Sequence, residues 1–193
     1  DLASFSGHKV YAPKGTGVLY MRRGLEIDSL IHGGHQEGGR RAGTENVTGA
    51  VALGKACEVA QRDLAQEEAR VESLRNRLLD GIMRSIDLVR LNGHPTRCLP
   101  NTLNLSFEHV ESESLLVSLD FHGIAISSGS ACSSGSGEPS HVLVAMGVPP
   151  VACQSATRFS LGRDNTEDDV DYALSVLPDV VKRLREMSPF YRR

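Results

Sequence analysis

The chain has 193 residues, 21 Lys and Arg against 24 Asp and Glu, a net charge of −3 and 40% hydrophobic residues. That length can bury a core without disulfide or metal staples, and it admits one large domain or two small ones. There is no surplus of positive charge and no apolar run approaching the ~18 residues of a span, which excludes a basic nucleic-acid binder, a disordered tail and a membrane protein.

The opening, DLASFSGHK, has no Met, no charged leader and no apolar run resembling a signal peptide. Asp1 is followed at once by the strand-like Leu2-Ala3-Ser4-Phe5, so the chain is expected to be a piece of a longer protein. Residues 2–22 read as strand, turn, strand, with Pro13-Lys14-Gly15 as the breaker before Gly17–Met21. The segment from His32 to Thr44 carries five Gly in thirteen residues and is expected to be a loop. A long helix follows, because Val47, Val51, Leu53, Ala56, Val59, Leu64, Val71, Leu74, Leu78, Ile82 and Ile86 recur mostly at three- and four-residue steps. A break near residue 62 is compatible with that pattern.

Short strands are expected around Val89–Leu91, over Thr102–Phe107 with Leu103, Leu105 and Phe107 alternating, at Ile124–Ile126 and over Thr157–Leu161. Helical patterns at Ser112–His122 and Ser140–Met146 each start on a Ser and stop at Gly123 and Gly147. The last helix opens with the capping pattern Thr166-x-x-Asp169, and a kink is expected at Pro178. Strands mixed with covering helices indicate an α/β layered architecture, with the natural division after the long helix, giving 1–87 and 88–193.

Among the four Cys, Cys57 reads as a core residue of the long helix, Cys98 as a loop thiol and Cys153 as packing before the last strand. No C-x-x-C occurs, which leaves zinc ribbons and thioredoxin-like pairs unsupported, and reduced thiols in a cytoplasmic protein are the default. Cys132 stands apart. It sits in SSGSACSSGSGE, residues 127–138, where nine of twelve residues are Ser or Gly and no packing demands a thiol. Two readings stay open: an incidental surface thiol, or one whose reactivity is used. His32 and His35 in H-G-G-H lack a third ligand at useful spacing and read as loop polarity, so no metal site is expected. Gly15-Thr16-Gly17 lacks the third Gly of a dinucleotide fingerprint and precedes a strand, so it is set aside. Lys9, after Ser6-Gly7-His8, fits either an ordinary strand-end lysine or a cofactor pocket in which a desolvated amine is nucleophilic. In the second case Ser6 and His8 would offer hydrogen bonds to a phosphate, and Gly7 would allow close backbone approach.

Taken together, S-F-S-G-H-K, P-K-G-T-G-V-L-Y, H-G-G-H-Q-E-G-G-R-R-A-G-T-E-N, S-S-G-S-A-C-S-S-G-S-G-E-P-S-H-V-L, A-T-R-F-S-L-G-R and R-L-R-E-M-S-P-F resemble the class I cysteine desulfurases, pyridoxal-phosphate enzymes of the class V aminotransferase-like family. The resemblance spans the chain in the family's order. It implies the C-terminal part of a fold-type I transferase: 1–87 as the end of the large cofactor-binding domain with the long helix, and 88–193 as the small C-terminal α/β domain. It implies Lys9 as the lysine that carries pyridoxal 5'-phosphate, Ser6, Gly7 and His8 as cofactor contacts, and Thr44 as a contact to the phosphate of the partner subunit's cofactor in a homodimer. Arg158 is implied to hold the substrate carboxylate. Cys132 is implied to be the nucleophile that becomes a persulfide and a transient iron–sulfur ligand. The segment around Met187–Tyr191 resembles the region that docks a sulfur-accepting scaffold.

The reaction so implied converts L-cysteine to L-alanine, with sulfur passed to an acceptor protein for iron–sulfur assembly or other thiolation. The family's proteins are about twice this long, and the half without a counterpart here supplies the phosphate-binding Gly/Thr turn, the ring-stacking His and the Asp that pairs with the ring nitrogen. Two alternatives accompany this reading. One is another enzyme of the same fold, such as an aminotransferase, a selenocysteine lyase or a kynurenine hydrolase; the other is an inactive fragment that binds partners. No nucleic acid or membrane partner is expected.

Overall fold

A computed structural model describes residues 1–128, 139–189 and 191. The chain divides into two compact units, Asp1–Leu64 and Ala65–Arg193. The sequence pattern puts its boundary after residue 87 instead. The difference has a physical source: Leu74, Leu78, Ile82 and Ile86, all on the second half of the long helix, are built into the core of the second unit.

In the first unit, β1 (Leu2–Ser6) and β2 (Gly17–Met21) form an antiparallel pair in the register Leu2↔Met21 to Ser6↔Gly17. Between them the chain makes a 3-10 turn over Gly7–Val10, closed by Tyr11 in the left-handed conformation at φ 64°. Gly7 is the pivot. Its N–H donates to the Thr16 carbonyl at 2.8 Å, its own carbonyl accepts from Ala12 N–H at 3.0 Å, and a Cβ there would sit 3.0 Å from Thr16 O. A side chain at position 7 would therefore push the turn open. Residues 22–46 are largely irregular, as the glycine content predicts, with one 3-10 turn at Gln36–Gly39.

The helix α1 (Val47–Ser85) runs 39 residues without the break its sequence allowed near residue 62. Asn46 precedes it, and its Oδ1 accepts from Gly49 N–H at 3.0 Å, which satisfies one of the helix's unpaired first-turn donors.

The second unit holds a four-stranded antiparallel sheet in the order β3-β4-β6-β5, made of β3 (Val89–Leu91), β4 (Thr102–Phe107), β5 (Ser127–Ser128) and β6 (Ala156–Ser160). Alternation along β4 sends Leu103, Leu105 and Phe107 to one face, where they join Phe159 and the apolar stripes of α1, α2 (Ser112–Asp120) and α5 (Glu167–Met187). Leu105, Phe107, Leu115, Leu119 and Ile82 are completely buried there. The strand expected at Ile124–Ile126 lies three residues later, because the pairing to β6 is made by Ser127 and Ser128 while Ile124 and Ile126 pack on the core.

Two short helices, α3 (His141–Ala145) and α4 (Pro150–Gln154), frame a smaller cluster of Leu143, Val148, Cys153 and Ala156. The first follows Ser140 as expected and ends before Gly147 at φ 73°. The second was not legible as a helix. At the start of α5 the capping box is complete: Asp169 N–H donates to Thr166 Oγ1 and Thr166 N–H to Asp169 Oδ2. The helix continues through Pro178.

Buried arginines fasten the loops of this unit. Arg185 donates to the carbonyls of Asp87, Leu88 and Glu108, which supports left-handed backbone at Leu88 and, beside Glu108, at His109. Burial holds its guanidinium below the usual arginine pKa. Among the described residues no helix is long and apolar enough to cross a membrane.

Candidate active site

Ser6, Gly7, His8 and Lys9 are brought together on the turn that joins β1 to β2. Gly7 is buried while Ser6, His8 and Lys9 are exposed. Among the described residues none of those three side chains has an intramolecular hydrogen-bond partner. A hydroxyl, an imidazole and a primary amine on one turn are donors and a nucleophile left free for a ligand. That set fits a phosphorylated aldehyde such as pyridoxal phosphate. Thr44 is exposed in the segment leading to α1.

Close approach of α1 to this turn depends on Gly49, where a Cβ would clash with Thr16 Oγ1. Thr16 in turn supplies the carbonyl that holds Gly7. Gly49 was not singled out from sequence, since a lone helical Gly carries no local signature, and Thr16 was read only as part of the set-aside Gly15-Thr16-Gly17.

Arg158 belongs to the second unit, at the centre of β6. It is half-buried, and its Nε is buried without a hydrogen-bond partner among the described residues. It is flanked in register by Asn104 on β4 and Ser127 on β5. Residues directly opposite one another project from the same face, so Arg158 stands on the sheet face away from the apolar core, together with Asn104, Ser106 and Ser127. A buried guanidinium edge with nothing to donate to is costly unless an anion meets it, which fits a carboxylate-binding role.

A relay lies alongside. Ser106 Oγ donates to the Ala152 carbonyl at 2.6 Å, Asn92 Nδ2 donates to Ser106 Oγ at 2.7 Å, and the same nitrogen donates to Asn104 Oδ1 at 2.8 Å. The alternation Thr102-Leu103-Asn104-Leu105-Ser106-Phe107 is the sequence signal that these polar side chains share one face.

The thiols divide differently from expectation. Cys57 is exposed rather than part of a core, because the half of α1 that carries it lies in the first unit and not in the packed cluster of the second. Cys153 is buried as expected, and Cys98 is an exposed thiol that accepts a hydrogen bond from the buried Arg75. Cys132 lies outside the described residues, as does most of the Ser/Gly segment around it. His32 and His35 lie in the irregular segment, and no group of three or more metal-ligating side chains is found among the described residues.

Residues 1–173 match the family Aminotransferase class-V. The chain is 53% identical over 191 residues to a cysteine desulfurase of Gluconacetobacter diazotrophicus, covering 99% of this chain and 48% of the relative. It is 52% identical to the cysteine desulfurase IscS of Methanosarcina thermophila, covering 98% of this chain and 46% of that protein. A solved NifS-like protein, 39% identical, superposes with a TM-score of 0.84 over 95% of this chain and 46% of its own. The chain spans about half the length of the curated relatives it matches. With a lysine-bearing turn, a half-buried arginine on an α/β scaffold and these matches, the chain belongs to the class-V aminotransferase family.

Proposed function

We propose that this chain is the lysine- and cysteine-bearing half of a pyridoxal-phosphate-dependent cysteine desulfurase, which converts L-cysteine to L-alanine and hands the sulfur to an acceptor protein. The observation that carries the reading is 53% identity to a cysteine desulfurase over 191 residues, nearly the whole chain. Residues 1–87 would belong to the cofactor-binding domain and 88–193 to the small domain. Lys9 would hold the cofactor covalently, with Ser6, the Gly7 backbone and His8 beside it and Thr44 on the phosphate of the partner subunit's cofactor. The remaining half of the enzyme, a homodimeric and cytoplasmic assembly, and a scaffold docked near Met187–Tyr191 complete the proposal. So does supply of sulfur to iron–sulfur assembly or thiolation, with Cys132 as a transient cluster ligand.

When bound, pyridoxal phosphate supplies the electron sink that makes an amino acid's Cα proton removable. Arg158 holds the substrate carboxylate. Lys9 Nζ takes the Cα proton and later returns one. The Cys132 thiolate attacks the substrate sulfur, so an S–S bond forms as the C–S bond breaks. The electron pair stays with the substrate, which leaves as alanine after protonation. Gly and Ser around Cys132 suit a thiol that must reach both substrate and acceptor.

The test is mass spectrometry of the holoenzyme after L-cysteine. One extra sulfur atom on a peptide containing Cys132 is expected, and its absence from Cys132→Ser with cofactor absorbance intact. Persulfide-independent release of sulfur by Cys132→Ser at the wild-type rate would remove Cys132 from the reaction.

A further inference from the structure

We infer that Asn104 is a second donor to the substrate carboxylate beside Arg158, held in its donating orientation by Ser106 and Asn92; the inference rests on the proposed role of Arg158. The Ala152 carbonyl can only accept, so the Ser106 hydroxyl proton is committed to it across 2.6 Å. Ser106 Oγ then has only lone pairs to offer Asn92, which must donate through Nδ2 at 2.7 Å. The second proton of that nitrogen meets Asn104 at 2.8 Å, so Asn104 must accept there through Oδ1.

The opposite orientation of Asn92 would set its oxygen against a hydroxyl oxygen with no proton to spare. The orientation is kept although Asn92 Oδ1 stays buried without a partner among the described residues. By elimination the Asn104 Nδ2 group faces away from Asn92, and among the described residues it donates to nothing.

Asn104 and Arg158 are directly opposite on antiparallel strands, which brings their Cβ atoms within about 4.5–5.5 Å on the same face. Arg158 Nε, also a donor, is buried and unpaired among the described residues. The residues that share this face in register, Arg90, Thr102, Ser106, Ser127 and Ser160, include no carboxylate to receive them. Two adjacent free donors, one cationic, call for an acceptor with two oxygens and negative charge. A carboxylate takes the guanidinium on one oxygen and the amide on the other.

The test titrates the holoenzyme with L-alanine and with ethylamine, which is alanine without its carboxylate, and follows the cofactor's visible absorbance. Wild type should favour L-alanine. Asn104→Ala should weaken L-alanine by about 10- to 100-fold and leave ethylamine unchanged, the range expected for a lost hydrogen bond to a charged group. Asn104→Asp keeps the acceptor for Asn92 and nearly the same shape but replaces the donor with a negative charge, and should lose at least as much. Asn92→Ala frees the Asn104 amide to rotate, so it should lower the same preference by a smaller factor.

Equal losses for both amines, unchanged L-alanine affinity in either Asn104 variant, an unchanged preference in Asn92→Ala, or no preference in wild type would each overturn the assignment. A wild type that prefers L-alanine yet takes no sulfur from L-cysteine would overturn the desulfurase reading alone.

Discussion

The two halves of α1 are one continuous helix with one heptad-like apolar pattern, yet they meet opposite fates. In the first unit Val47, Val51 and Leu64 are 67%, 69% and 62% exposed, whereas in the second Leu74, Leu78 and Ile82 are 4%, 3% and 0% exposed. The same contrast holds for strands. Phe5, Leu19 and Tyr20 on the β1–β2 pair are exposed, and Phe107 and Leu105 on β4 are completely buried. Periodicity dictates which residues form a face, and only the neighbouring elements decide whether that face becomes a core. The second unit has its own sheet, helices and buried cluster. The first holds the lysine turn on a two-stranded ribbon, which is marginal in water without further packing. On the proposed reading, the rest of the enzyme packs on these open faces.

The largest effect expected is functional and falls on the first unit. Lys9→Ala in the holoenzyme should abolish turnover of L-cysteine while leaving the thermal unfolding of the cofactor-free protein unchanged, because Lys9 is exposed and unpaired among the described residues. Retained turnover would remove Lys9 from the chemistry. Next come the cores. Phe107→Ala should cost about 3–5 kcal/mol by denaturant unfolding, against about 0.5 kcal/mol or less for Phe5→Ala in this chain alone. Comparable costs would erase the distinction between the units, and a larger cost of Phe5→Ala in the longer enzyme would locate its missing cover.

Smaller effects test the fastenings of the second unit. Arg185→Ala strips donors from the carbonyls of Asp87, Leu88 and Glu108, and should cost about 2–3 kcal/mol. Loss of the α5 cap in Thr166→Ala should cost about 1 kcal/mol. Hydrogen bonds from Thr166 hold the Asp169 carboxyl below its ordinary value, and a hydrogen bond from Arg77 does the same for Asp171. Both are depressed acids, so their contribution is present above the unfolded value of 3.8 and is lost as pH falls through the folded one. Acid unfolding curves should therefore be shallower in Asp169→Asn and Arg77→Met than in wild type. Identical pH dependence in all three proteins would count against the capping and pairing roles.

Much of this was legible in the sequence where local rules act alone. The Thr166-x-x-Asp169 box, the alternation of β4 and the stop at Gly147 each depend on residues close in the chain, and each appears where its pattern predicts. What depended on distant partners was not legible. Cys57 looks like a core residue because its helical neighbours are apolar, but among the described residues no packed cluster lies over that half of α1. Gly49 matters only because Thr16, far away in sequence, lies against it. The relay from Ala152 to Asn104 joins α4, β4 and the residue after β3, so no spacing could announce it, although the polar half of the β4 alternation marked the face that holds it. Of the candidate site, the Lys9 turn and Arg158 could be placed on their elements from sequence. The unpaired donors around Arg158 needed the sheet register.

The claim at the centre of this account is a carbon–sulfur cleavage that delivers sulfur to Cys132, and product analysis of the holoenzyme with L-cysteine tests it most directly. One alanine is expected for each sulfur released or transferred, with no keto acid formed. Formation of a keto acid in place of alanine would contradict it and assign the Lys9 turn to transamination or elimination instead.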